Sequence, residues 1–247
     1  MIQNFVKSIN KNMTLIIHES AKCHCNELLD KIALNMSVLL SEMMVDIDLL
    51  LAWGAAYKKV GINEIIFREG TNCQFYYQLV SGSVRWVNID EDDKEFIQTM
   101  IEAGECFGEL PLFDDGPFAA TAIAEEDSVI IRLHKSTFLE LLKEYPEIHF
   151  SFSHLLAKRV RFKFLLLKSL ALHAPEARIA TLLNYLRVEN KNFCPRCNQL
   201  KLTRQQIADM TGLRVETVIR AMRSMHEKGE LMIEKGKVYY SDMIGVI

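Results

Sequence analysis

One segment near the carboxyl end, residues 200–228, constrains the fold of this chain more than any other. Its sequence is LKLTRQQIADMTGLRVETVIRAMRSMHEK. Thr203, followed three residues later by Gln206, fits a capping box, which predicts that a helix begins there. Gly212 can adopt the left-handed conformation that ends a helix in a turn, and a second helix is predicted over about 214–228. The segment therefore predicts two short helices around a tight turn.

The second of these helices has two chemically different faces. Val218, Met222 and Met225 recur at i, i+4 and i+7, so we expect them to pack inward. Glu216 and Arg220 share another face, and Arg donates to guanine whereas Glu accepts from cytosine. Any one of these features also fits a pair of solvated surface helices, but the whole series favours DNA binding. The candidate DNA-binding residues, with phosphate contacts assigned to Arg204 and Thr217, are Thr203, Arg204, Gln205, Arg214, Glu216, Thr217, Arg220 and Arg223.

The residues after the second helix read Gly229 and then LMIEKGKVYYSD. Leu231–Glu234 and Lys237–Tyr240 are predicted to be two short strands joined by Lys235-Gly236. A hairpin that follows a recognition helix is the wing of a winged helix-turn-helix. The pattern therefore indicates a winged domain at the carboxyl end.

The distribution of charge supports an electrostatic role for this end. The whole chain has a formal charge of −3, which is unusual for a protein that binds DNA. Residues 171–247, however, hold 12 Lys and Arg against 8 Asp and Glu, a net charge of +4, and the remainder carries −7. A basic carboxyl-terminal part beside an acidic remainder is the charge asymmetry that we expect of a chain that binds DNA phosphates through one domain. Four charges are modest, so we expect a dimer that presents two such faces.

Length and composition set outer limits on the class of protein. A chain of 247 residues with 49% hydrophobic content suits two domains with real cores. Its longest apolar stretch, LLSEMMVDIDLLLAW, is interrupted by Glu42, Asp46 and Asp48, so no transmembrane helix is expected. The first residues lack the pattern of a signal peptide. We therefore expect a cytoplasmic protein without membrane association, whose cysteines are reduced.

The pattern of the chain divides it into four segments and indicates an α+β fold. Residues 1–58 are helical in pattern, and residues 59–145 change to short strands punctuated by glycines, which is typical of an antiparallel β-roll. Residues 146–170 are predicted to form one long helix. Residues 171–247 form the winged helix-turn-helix domain, in which Pro175 opens a helix.

The predicted long helix is apolar on more than one side, which constrains what it packs against. We expect one side to pack on the roll and the other on a second copy of the chain, which makes this the dimerisation helix. The alternative is a helix buried within one chain. The apolar residues in question are Phe152, Leu155, Leu156, Val160, Phe162, Leu166, Leu167 and Leu170.

The order of a glycine-punctuated roll, a long helix and a winged helix-turn-helix resembles the CRP/FNR family of bacterial transcription regulators. The matching pieces are IIFREG, LVSGSVRW, GECFGELPLFDDGPFAATAIA and TRQQIADMTGLRVETVIRAM. The VETVIR piece is similar to the FNR branch, although Ile219 stands where that branch often has Ser. The resemblance implies a jelly roll like those that bind cyclic nucleotides, a homodimer on inverted-repeat double-stranded DNA, and contact with RNA polymerase. It also implies that an input at the roll shifts the long helices and so sets the spacing of the recognition helices.

The resemblance weakens at the effector pocket. Members that bind cyclic AMP use a Glu, at the position of Glu109, for the ribose hydroxyl and an Arg for the cyclic phosphate. Phe118 stands where that Arg is expected, and an unpaired buried phosphate costs several kcal/mol, so we predict that cyclic AMP is not the effector. The long helix offers Lys163 and Phe164 near the position of the adenine contacts. The candidate pocket, whose small-molecule effector is unknown, comprises Gly108, Glu109, Leu110, Phe118, Ala119, Ala120 and Thr121, and Gly108-Glu109 also reads as a turn that the roll needs.

The six cysteines permit a metal or redox interpretation but do not complete a site. Cys23 and Cys25 form a C-x-C pair, short of the three closely spaced cysteines that iron–sulfur clusters usually use. Cys194 and Cys197 form a C-x-x-C that supplies half of a zinc site, and no second pair follows it. A turn with two ordinary thiols is the other interpretation. We therefore expect no metal and no cofactor, while a metal- or redox-sensing regulator stays open.

Two further classes of protein remain as alternatives. One is a metal-dependent enzyme that uses the cysteines with His18, His24 or His134, although no catalytic series is recognisable. The other is a cyclic-nucleotide-binding-like module that regulates a protein partner. The helix-turn-helix argues against such a module, because it needs no basic winged domain.

Overall fold

The computed structural model describes residues 44–240, so most of the helical segment predicted for residues 1–58 lies outside the described residues. Helix α1, Ile47–Ala52, begins after Asp46, whose side chain accepts a hydrogen bond from the amide of Leu49 at 2.9 Å. The first strand starts at Ala56, three residues before the predicted start of the roll. Within residues 44–240 no helix has the length and apolar character needed to cross a membrane.

A roll of two four-stranded antiparallel sheets follows α1, as the glycine-punctuated pattern predicts. In chain order its elements are β1 Ala56–Val60, β2 Ile65–Phe67, β3 Phe75–Ser81, β4 Ser83–Ile89, β5 Glu95–Glu102, β6 Cys106–Phe107, helix α2 Leu110–Asp114, β7 Thr121–Ala124 and β8 Ser128–His134. One sheet has the order β1-β8-β3-β6 and the other the order β2-β7-β4-β5. Apolar side chains from both sheets fill the space between them.

Three helices connect the roll to the carboxyl end. They are α3 Lys135–Glu144, α4 Pro146–Leu172 and α5 Pro175–Val188, so the long helix ends two residues later than predicted. Its apolar side chains divide between two faces. Phe162 and Leu166 are buried against the body of the chain, whereas Phe164 and Leu167 are 67% and 63% exposed. The two-sided character that the sequence predicts is therefore present in the structure.

The winged helix-turn-helix consists of helix α6, Arg204–Thr211, helix α7, Val215–Glu227, strand β9, Leu231–Glu234, and strand β10, Lys237–Tyr240. The capping box is present in both directions. The backbone amide of Gln206 donates to Thr203 Oγ1 at 3.1 Å, and the Gln206 side chain accepts from the amide of Thr203 at 2.8 Å. Gly212 ends α6 with a φ of +63°, the left-handed conformation that glycine adopts without strain. The turn between the helices is thus built as the sequence predicts.

The winged domain and the roll share one apolar cluster, which the sequence does not reveal. Ile207 and Met210 of the winged domain join Ile97 and Met100 of the roll in this cluster. A polar contact adds to it, because the side-chain amide of Gln206 donates to Glu125 of the roll at 2.9 Å. The helix-turn-helix is therefore held against the outer face of the sheet that contains β5.

Candidate DNA-binding surface and effector cavity

Helix α7 presents a polar face to solvent while its opposite face is buried. Val218, Met222 and Met225 are each 1% exposed or less, as their spacing predicts. The side chains that the sequence assigns to base contacts lie on the solvent side of α7. Those that are exposed are Glu216, Ile219, Arg220 and Arg223, and Thr217 is half-buried.

The remaining candidate DNA contacts surround the amino ends of the two helices. Thr203 and Arg214 are the N-cap residues of α6 and α7, and both are exposed. Gln205 is exposed and donates to Asp209 one turn later at 2.8 Å. Arg204 is half-buried. Backbone amides at helix amino ends favour anions, so this arrangement suits phosphate contacts.

The wing adds two basic side chains that sequence reasoning did not include among the candidates. Lys235 and Gly236 both have positive φ, +48° and +79°, and join β9 to β10 in a two-residue turn. Lys235 and Lys237 are exposed at this tip. His226 Nδ1 lies 3.2 Å from the carbonyl oxygen of Leu231, which ties the end of α7 to the wing. The basic composition of the hairpin is the signal that could have identified the two lysines.

The segment around Gly108 is packed tightly by aromatic rings. Gly108 has a φ of +66°, and a Cβ atom there would lie 2.6 Å from the ring of Phe67 and 3.0 Å from that of Phe118. Phe118 is 3% exposed and stacks on Phe67 with ring centroids 3.8 Å apart. The side chain that replaces the expected Arg is therefore part of the core of the roll.

A cavity of about 270 Å³ lies between the roll and helices α4 and α5, and we call it the roll–helix cavity. Four of the seven candidate pocket residues line it, namely Glu109, Leu110, Ala119 and Ala120. Gly108, Phe118 and Thr121 are not among its lining residues. Thr121 instead accepts a hydrogen bond from the amide of Glu69 at 3.0 Å. The remaining lining residues are Trp86, Gln98, Thr99, Leu156, Arg159, Val160, Phe162, Lys163, Tyr185 and Lys191.

Helix α4 contributes the charged wall of this cavity. Arg159 Nη1 lies 2.5 Å from Glu109 Oε2, and Arg159 Nη2 donates to the carbonyl oxygen of Cys106 at 2.7 Å. Lys163 lies at the cavity, as the family resemblance implied, whereas Phe164 points to solvent. Arg159 was missed because its partner Glu109 is fifty positions away in the chain and no local pattern joins them.

The cysteines of the described residues do not assemble into a metal site. Cys194 and Cys197 lie in a turn that is closed by a bridge between Phe193 and Leu200. Burial opposes ionisation of Cys194, but hydrogen bonds from the backbone of Arg196 and Cys197 outweigh it and lower the pKa of this thiol. Within residues 44–240 no three His, Cys, Asp or Glu side chains are grouped so that they can hold a metal ion. Cys23, Cys25, His18 and His24 lie outside the described residues.

Comparisons with known proteins agree with this architecture. Residues 57–145 match the model of the cyclic nucleotide-binding domain, and residues 177–244 match that of the Crp-like helix-turn-helix domain. The cAMP-activated global transcriptional regulator CRP of Pasteurella multocida is 31% identical over 187 residues, which cover 74% of this chain and 90% of that protein. The cyclic AMP receptor protein of Thermus thermophilus is 29% identical over 173 residues, 70% of this chain and 78% of the relative.

Solved structures show the same fold at lower identity. The c-di-GMP responsive global regulator CLP of Xanthomonas campestris has a TM-score of 0.65 and 21% identity, covering 79% of this chain and 98% of that chain. FixK2 from Bradyrhizobium japonicum also has a TM-score of 0.65 and 21% identity, covering 76% of this chain and 93% of that chain.

Roll, long helix and winged domain together define a DNA-binding transcription regulator with an effector-binding domain, and not an enzyme. The chain belongs to the CRP/FNR family.

Proposed function

We propose that this regulator acts as a homodimer on an inverted-repeat DNA site and that a small molecule in the roll–helix cavity controls it. The observation that carries the proposal is a stripe of exposed apolar side chains along α4. Phe150, Ala157, Phe164 and Ala171 recur every seven residues, and Val160 and Leu167 each follow one of them by three residues, as the a and d positions of a heptad do. We call these six residues the heptad stripe.

The heptad stripe is the pattern by which two helices pack as a coiled coil. Phe150, Val160, Phe164 and Leu167 are 77%, 52%, 67% and 63% exposed in the single chain. A contiguous row of large apolar side chains in solvent marks an interaction surface. A second copy of the same helix offers the complementary row, so a two-fold dimer buries both.

A two-fold dimer sets the form of the DNA site. Each subunit presents one α7, and a pair related by two-fold symmetry contacts two half-sites whose centres lie about one helical turn, roughly 34 Å, apart. Arg220 is assigned to guanine and Glu216 to cytosine, with Ile219 available for a thymine methyl group. We assign Lys235 and Lys237, which are exposed at the wing tip, to flanking phosphates.

Effector control has a structural route through α4. Arg159 and Lys163 line the roll–helix cavity. Val160 and Phe164, the next residues along α4 after each of them, belong to the heptad stripe, and Val160 also lines the cavity. A ligand that moves the first pair therefore moves the second. We place this regulation in the cytoplasm, where DNA and RNA polymerase are found, and we propose contact with the polymerase on the basis of the family resemblance.

The test combines sedimentation with DNA selection. The full chain should sediment at twice the mass of one subunit at micromolar concentration, and selection from random duplexes should return an inverted repeat. Fluorescence anisotropy should then give tighter binding to the repeat than to a duplex of equal length with one half-site. A monomer that binds the repeat and the half-site with equal affinity would contradict the proposal.

A further inference from the structure

The roll–helix cavity combines apolar walls with a small number of charged groups. Its volume of about 270 Å³ lies just below the range of roughly 300–1,000 Å³ that is usual for sites that bind small molecules, so it suits a compact ligand. Trp86, Phe162 and Tyr185 supply aromatic wall, and the last two stack on each other with centroids 3.6 Å apart. Trp86 is fixed by a hydrogen bond from its Nε1 to the carbonyl oxygen of Ala120 at 3.2 Å. Such walls favour a compact ligand with a flat apolar body.

Two of the charged groups at the cavity neutralise each other. Glu109 is 1% exposed and pairs with Arg159 at 2.5 Å. Both carboxylate oxygens are buried and neither has a hydrogen-bond partner among residues 44–240, but Oε1 also lacks the ionic contact that Oε2 makes with Arg159. Buried polar atoms in native proteins nearly always have a partner, so this oxygen is placed to accept a hydrogen bond from a ligand.

Lys163 is, among the described lining residues, the cation at this cavity that lacks an anionic partner. It is an exposed residue of α4 at the edge of the cavity, and its ammonium donates to the backbone carbonyl of Gln98 at 3.2 Å and to the side-chain amide oxygen of the same residue. Within residues 44–240 no carboxylate lies within 4 Å of it, whereas the other lining lysine, Lys191, pairs with Glu105. Burial of the ammonium and the nearby Arg159 lower the pKa of Lys163 to about 8.

Among the described residues, the roll side of the cavity has no cation in place of the expected Arg. Phe118 is packed against Phe67, and Ala119 and Ala120 present only methyl groups and backbone. The carbonyl oxygen of Ala119 is occupied by the side chain of Asn88, which donates to it at 2.8 Å. The unbalanced positive charge therefore lies on the α4 side, at the edge of the cavity.

We infer that the roll–helix cavity binds a compact aromatic carboxylic acid that carries a hydroxyl donor. The carboxylate pairs with Lys163, the ring lies against Trp86, and the hydroxyl donates to Oε1 of Glu109. This inference rests on the proposed function of the cavity as the effector site and names the chemical class of its ligand. An anion at the edge of the cavity and a donor at the buried end fix the orientation of the ring.

Three probes of nearly equal shape separate the contribution of the carboxylate charge from that of the hydroxyl donor. They are 4-hydroxybenzoate, 4-hydroxybenzamide, which lacks the charge, and benzoate, which lacks the donor. Calorimetry on the full chain should show 4-hydroxybenzoate binding, with each of the other two weaker by about tenfold or more. Trp86 fluorescence in a Trp53→Phe background gives a local readout, because the chain contains only two tryptophans.

Lys163→Gln tests the assigned cation, since glutamine keeps a donor for Gln98 and removes the charge. Lys168→Gln is the matched control, an exposed lysine on the same helix outside the cavity. The first variant should lose about tenfold in affinity for 4-hydroxybenzoate and the second should lose none. Melting temperatures of both variants should equal that of the parent protein.

The outcomes distinguish this inference from the proposed function. No binding of any of the three probes at millimolar concentration, equal binding of acid and amide, or an unaltered Lys163→Gln variant would each overturn the ligand class. Cyclic AMP that binds with unchanged affinity to Lys163→Gln would also overturn it, while effector control would stand. Acid binding that depends on Lys163 but leaves DNA affinity unchanged would support the ligand class and contradict effector control.

Discussion

Replacing Phe164 with alanine tests the dimer at the middle of the heptad stripe. A phenylalanine side chain that becomes buried contributes roughly 200 Å². Because Phe164 is 67% exposed in the single chain, about 130 Å² is available for burial by a partner. At about 25 cal/mol per Å² this is ~3 kcal/mol for each subunit. Two symmetric copies, less what the alanine methyl retains, give about 4 kcal/mol, or about a thousandfold in the dimer dissociation constant.

The assay is sedimentation equilibrium over a range of protein concentrations, with circular dichroism to confirm that each variant is folded. Leu165→Ala is the matched control, because Leu165 is 48% exposed on the same helix but lies about 100° around the axis from Phe164. It should leave the dimer dissociation constant nearly unchanged. Equal shifts for the two variants, or a Phe164→Ala protein as dimeric as the parent, would refute the coiled-coil reasoning.

Four further outcomes are expected. Arg220→Ala should reduce the free energy of DNA binding by about 1–3 kcal/mol and relax the sequence preference at one base pair, and Glu216→Ala should relax the preference at a neighbouring pair. Arg204→Ala should instead weaken binding to all sequences equally and lower the slope of log affinity against log salt by about one per subunit. Equal, uniform losses of affinity for Arg220→Ala and Arg204→Ala would contradict the assignment of base contacts to α7. Thr203→Ala should reduce the free energy of unfolding by about 1 kcal/mol, measured in urea, because it removes the capping box. Calorimetry should show no binding of cyclic AMP at micromolar concentration, because the described residues on the roll side of the cavity include no cation for its phosphate. Affinity for 4-hydroxybenzoate should fall as pH rises through about 8, the pKa of Lys163, because the neutral amine no longer attracts the carboxylate; an affinity that rises over this range would be inconsistent with the assignment.

Local chemistry made much of the winged domain predictable. Thr203 and Gln206 fix the start of α6 through hydrogen bonds between residues three apart, and Gly212 fixes its end through backbone conformation. The strands Leu231–Glu234 and Lys237–Tyr240 coincide with the prediction, because the Lys235-Gly236 turn determines their register. A capping box, a helix-ending glycine and a two-residue turn each depend only on residues close together in the chain, so the sequence reveals them.

Contacts between distant regions of the chain could not be predicted in the same way. The pairing of Glu109 with Arg159, and of Gln206 with Glu125, depends on how the roll, α4 and the winged domain come together. Phe118 shows the same limit. Its substitution for an expected Arg was visible in the sequence, but its packing against Phe67 became visible only in the fold.

The packing of Phe118 also restricts how effector specificity can change in evolution. An arginine introduced at this position alone would place a guanidinium among Phe67, Phe107 and Tyr77, whose ring centroids lie within 6 Å of one another. Without an acidic partner such a charge destabilises the fold by several kcal/mol before it can serve any ligand. A descendant of this chain could regain a phosphate site only after the aromatic neighbours had been reduced in size. If cyclic AMP is not the effector, as we predict, the order of mutations, and not merely their number, separates this regulator from those that respond to it.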